Sequence, residues 1–142
     1  MSQIIFFDVF GNDVLTQVHD LQTTGDALMI ALTDVEPDSA TNELLGDITG
    51  LLEETNGYAP VDVENALVWN AETSLWDLTA EDKVITASGG DVGPFRYVVL
   101  YNAATTPKDN PLVGYWDYGS EITLADGETF TLEFIEPIAS FG

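Results

Sequence analysis

From Val61 to the end, the chain breaks into short runs of β-branched and aromatic residues. Turn-forming residues separate them at intervals of roughly ten, the spacing of strands in a sandwich or barrel. A helical bundle would instead repeat its apolar residues every three or four positions. The runs predict strands at Val63 to Trp69, Leu75 to Leu78, Lys83 to Ala87, Phe95 to Tyr101, Leu112 to Tyr118, Glu121 to Leu124 and Thr129 to Ile135. Asp126 and Gly127 predict a hairpin between the last two, because Gly tolerates the positive φ of a tight turn. Phe95, Tyr97, Val99 and Tyr101 should point one way and Val98 and Leu100 the other. A strand apolar on both faces belongs in the middle of its sheet.

The front of the chain reads differently. Phe7, Phe10, Val14, Val18 and Leu21 form a stripe at helical spacing, predicting a helix within Ile4 to Leu21 that Gly11 and Asn12 weaken. Ala27 to Thr33 predicts a strand, and Asp38 to Pro60 a long, partly helical connection. With 142 residues the chain makes one domain, divided into an N-terminal helix (1–22), a strand with an irregular connection (23–60) and a β-rich part (61–142). The expected fold is mainly β: a single β-sandwich, Ig-like or jelly-roll-like, with an N-terminal helix.

Charge narrows the range of partners. The 25 acids and 3 bases give a formal net charge of -22. Lys83, Arg96 and Lys108 are too few to displace counterions from a phosphate backbone or to hold an anionic membrane, so direct nucleic-acid and membrane partners are excluded. Without cysteine there is neither a disulfide framework nor a thiolate metal site, and one His cannot nucleate a zinc cluster. The first residues lack a basic region and Asp8 interrupts their apolar run, so neither a secretory leader nor a membrane span is expected.

No catalytic constellation emerges. His19 is the sole imidazole, no G-x-S-x-G elbow accompanies it, and a structural role is the plainer reading. Among so many acids, some pair will fall at glycosidase spacing by chance. Asp77, Asp117 and Glu121 lie near Trp76, Tyr115, Trp116 and Tyr118, an arrangement that suits a sugar platform but also suits core rings with solvated acids. Calcium would suit an acidic chain, yet Asp34, Glu36, Asp38, Glu53 and Glu54 do not follow an EF-hand spacing. The Gly-rich segment Ser88 to Pro94 lacks the Lys and following helix of a phosphate cradle and reads as a sharp β-connection. Arg96, inside the two-faced strand, should have a carboxylate partner. No cofactor is expected.

Three segments, TASGGDVGPFRYVVLYN at 86–102, PLVGYWDYG at 111–119 and LADGETFT at 124–131, together resemble a family of small tailed-bacteriophage virion proteins. The likeness extends to His19–Leu21, Leu28 to Thr33 and Asn56–Tyr58, and weakens over Asp38 to Glu54. It implies a non-enzymatic structural protein of the virion that decorates or cements the capsid. The major capsid protein or neighbouring virion subunits would be its partners, with homo-oligomers possible in principle. It implies no active site. The alternative is a receptor- or glycan-binding module or another tail-associated component, using Trp76, Tyr115, Trp116 and Tyr118. A small hydrolase using paired carboxylates is the remaining rival. Phe6, Phe7 and Phe10 are the candidate partner interface, should their stripe face a neighbour instead of the chain's own sheet.

Overall fold

The computed structural model describes residues 1–142. The chain is mainly β with one N-terminal helix, and its strands form three open sheets instead of the two faces of a single closed sandwich. The largest sheet holds β1 (Ile5–Phe6), β8 (Leu112–Leu124), β7 (Val92–Asn102), β2 (Leu28–Thr33) and β3 (Val61–Asp62), in that order. A second sheet orders β10 (Ala139–Phe141), β5 (Leu75–Thr79) and β4 (Ala66–Asn70), and a third pairs β6 (Lys83–Thr86) with β9 (Thr129–Leu132).

The two-faced strand sits where its composition requires. β7 lies between β2 and β8, and Tyr97 to Asn102 are buried without interruption. Val98 and Leu100 join Leu28, Ile30, Leu32, Leu78, Ile85 and Leu132 in the main core, shared with the two smaller sheets. Tyr97, Val99 and Tyr101 face the opposite side and pack with Phe7, Ala31, Ile48 and Leu112. Phe95 departs from the expected alternation. Register shifts on either side of it turn its ring into the main core, edge-on to Phe130 with centroids 5.1 Å apart.

The helix is shorter than its apolar stripe. α1 spans Asp8–Leu15, because Ile5 and Phe6 pair with Tyr115 and Gly114 on β8, and because Gln17 adopts φ 65° beyond its end. Val18 N–H donates to Asp13 O and Gln17 N–H to Val14 O, the paired bonds of a Schellman stop. Val18 and Leu21 are still buried. The stripe therefore reports burial correctly and helix extent incorrectly. The expected long connection contains a single 3-10 turn, Leu45–Asp47.

Further corrections concern boundaries. Val63 to Trp69 is not one strand: Glu64, at φ 49°, turns the chain from β3 into β4 and so from the first sheet to the second. Leu112 to Tyr118 and Glu121 to Leu124 are one strand, β8, since Gly119 marks an irregularity in its pairing with β7 and not a turn. Asp126 and Gly127 do form a turn, but the strands flanking it do not pair. β9 is matched to β6 (Phe130 opposite Ile85), so the turn carries the chain between sheets. β10 has no counterpart among the expected strands.

Candidate functional site

The residues singled out in the sequence disperse over the molecule. Of the candidate interface, Phe7 (1% exposed) and Phe10 (6%) are core residues, and only Phe6 (38%) reaches solvent, stacked on Phe10. An interface carried by all three is therefore overturned. Strand pairing at Ile5 and Phe6 turns Phe7 inward, against Tyr115.

Among the proposed platform rings, Tyr115 and Trp116 are buried, and Trp116 packs on Phe134. Tyr118 is exposed but rests edge-on against Phe130 on one side of the molecule, while Trp76 belongs to the second sheet. The four rings do not form one surface. Asp77 accepts hydrogen bonds from Ser140 Oγ (2.6 Å) and Asn70 Nδ2 (3.0 Å), which hold its carboxyl below the usual range. Asp117 is bound through both oxygens by Arg96, at 2.8 and 3.0 Å, and is lowered likewise. Arg96 thus has the carboxylate partner its position demanded. The carboxyl raised by burial is Glu136, which accepts the Ala80 N–H at 2.9 Å, while nearby Asp82 accepts the Phe134 N–H. These two acids tie 80–82 to 134–136, and neither lines a cavity.

Buried polar chemistry gathers elsewhere, around the end of α1. Asp13 is fully buried and receives Lys108 Nζ at 2.8 Å on Oδ1, while Oδ2 has no partner. Asn102 Nδ2 donates to Asp26 Oδ2 (2.8 Å) and lies 3.0 Å from His19 Nδ1, and His19 Nε2 is buried without a partner. Burial lowers the His19 pKa, outweighing the opposing pull of Asp13 and Asp26. Asp13, His19 and Asn102 line no cavity, and only Asp26 reaches a surface depression; the visible role of the cluster is to join α1, the 19–26 loop and the end of β7.

Four surface depressions remain. One of about 470 Å³ lies between the 50–56 segment and the Gly-rich approach to β7, with Asp34, Glu53 and Asp91 at its wall. Another, of about 430 Å³, includes Asp26, Asp62, Glu64 and Glu81. Nowhere do three or more His, Asp or Glu side chains converge at metal-binding spacing. A third, of about 270 Å³, is apolar and follows Ile4, Ile5, Phe6 and Ile138.

The fourth depression, about 390 Å³, is the candidate site. It is lined by Leu67 and Trp76 of the second sheet and by Gln22, Thr23 and Thr24. Trp69 stands directly across the β4–β5 ladder from Trp76, with ring centroids 5.5 Å apart and planes tilted by 59°. The rings are 49% and 45% exposed. Sequence reasoning overlooked Trp69, although a signal was present: the two tryptophans flank Asn70 to Leu75 symmetrically, so a hairpin there sets them opposite one another on one face. No family model, curated protein or solved structure matches the chain. No helix is long and apolar enough to cross a membrane.

Proposed function

We propose that the protein is a non-enzymatic structural component of a tailed-bacteriophage virion, exposed on the head as a capsid decoration or cement subunit. The observation that carries this reading is where the phage-like segments fall. Residues 86–102, 111–119 and 124–131 supply β7, most of β8 and β9, the bend before β7 and the turn between β8 and β9, and most of their apolar side chains lie in the core. What the resemblance preserves is thus a framework, as suits a subunit whose task is shape.

The surface is consistent with that task. Many copies placed side by side on a shell gain avidity from small contacts with the lattice, and a dense acidic exterior limits contact with anything else. Quantitative mass spectrometry of purified particles of the phage encoding this chain, with imaging of the shell, tests the proposal. The expected result is a copy number comparable to that of the major capsid protein, with density on the head exterior. Absence from the particle, or a few copies confined to the tail, refutes the decoration role.

A further inference from the structure

We propose that the groove beside Trp69 and Trp76 binds a neutral oligosaccharide. Leu67 and Leu78 face each other across β4 and β5, and Trp69 and Trp76 form the next pair along the same face. Leu78 is fully buried and Leu67 half-buried, whereas both indoles reach solvent, so this end of the hairpin extends past the core. Two half-exposed tryptophans packed on each other are an unusual feature for the surface of a soluble domain, where large apolar groups in contact signal recognition.

The lining selects the class of ligand. In a chain of 25 acids, none of the groove residues Gln22, Thr23, Thr24, Leu67 and Trp76 ionises. A cationic ligand finds no carboxylate partner there, and an anionic one meets the repulsion of the whole molecule. The Gln22 side-chain amide and Thr24 hydroxyl make no bond within the chain, and Thr23 Oγ1 accepts the Leu67 N–H at 3.3 Å, leaving its proton free to donate. Neutral donors and acceptors beside an indole face match a pyranose, whose C–H face packs on the ring while its hydroxyls bond at the rim. Stable protein interfaces cover about 800 Å² on each partner, far more than two rings and part of Leu67 present, so a protein partner fits less well.

The inference stands apart from the virion assignment, and either can fail alone. Full-length protein is titrated with maltohexaose, laminarihexaose, cellohexaose, chitohexaose and mannohexaose, and followed by the NMR signals of its three indole N–H groups. At least one sugar should give a saturable shift of the Trp69 and Trp76 signals while that of buried Trp116 stays in place. Trp76→Ala should raise Kd at least about tenfold. Thr24→Glu, at an exposed hydroxyl without internal bonds, should do the same with thermal unfolding unchanged, which keeps the test decisive if Trp76→Ala misfolds. No saturable shift with any of the five sugars overturns the proposal. So does a shift that survives Thr24→Glu, or saturation only by an acidic polymer such as polygalacturonate.

Discussion

The Asn102 amide has one possible orientation. Its Oδ1 accepts the Ala104 N–H at 2.8 Å, so Nδ2 is the atom facing Asp26 and His19, and His19 Nδ1 must accept. The imidazole is therefore neutral with its proton on Nε2, and protonation would set two donors against each other. Because burial lowers the folded-state pKa below the ordinary 6.5, the unfolded chain takes up this proton first. The His19 contribution to stability is complete above that value and declines as pH falls through it, by at most about 1.4 kcal/mol per pH unit. As the chain has a single His, NMR reads its titration without ambiguity. A midpoint at or above 6.5 would contradict the buried neutral state. Asp13 and Lys108 give a second prediction at this scale. Removing the ammonium in Lys108→Met strands a fully buried carboxylate, which should cost about 3–5 kcal/mol in urea unfolding, and adding Asp13→Asn should recover most of the loss.

At the scale of elements, periodicity located burial more reliably than it located secondary structure. The Phe7, Phe10, Val18 and Leu21 stripe was legible as core, yet the helix ends at Leu15 because Gln17 takes the left-handed conformation usually supplied by Gly, and nothing local announces that. The central position of β7 was legible because both its faces are apolar. Its irregularities were not, since they arise from the fit to β8. At Gly93, φ is 129°, and an added Cβ would lie 2.7 Å from Ile122 O and 2.9 Å from Thr123 Cα. Gly89, in the same Gly-rich bend, also has positive φ (84°) but open space around it. Gly93→Ala should therefore cost about 2–3 kcal/mol and Gly89→Ala about 1 kcal/mol, a difference that chemical denaturation resolves. Equal losses would show that backbone conformation alone, and not contact with β8, demands glycine at Gly93. The candidate groove was half legible. Trp76 stood out as an aromatic near acids, but pairing it with Trp69 required the hairpin register, and attaching Gln22 to Thr24 required the tertiary fold. Phe6 and Phe7 divide in the same way. Phe7→Ala should cost about 3–5 kcal/mol, as for other buried rings, and half-exposed Phe6→Ala clearly less.

At the scale of the whole molecule, the three bases are already committed: Lys83 to Glu64 and Glu81, Arg96 to Asp117, and Lys108 to Asp13. The great majority of the 25 acids therefore have no cation to offset them, and their mutual repulsion opposes the compact state. Two like charges about 10 Å apart in water repel by about 0.4 kcal/mol before screening, and a surface this acidic contains many such pairs. Added salt shortens the screening length from about 30 Å at 0.01 M to about 3 Å at 1 M, which removes most of that term. Unfolding stability should accordingly rise by more than about 1 kcal/mol across this range, against the small loss expected from the few ion pairs. Potassium chloride and choline chloride at matched ionic strength should act alike, because screening depends on ionic strength and not on the identity of the cation. Stabilisation by calcium far beyond its ionic strength, with little response to choline, would mean instead that carboxylates such as Asp34, Glu53 and Asp91 around the 50–56 depression take up a hard cation directly.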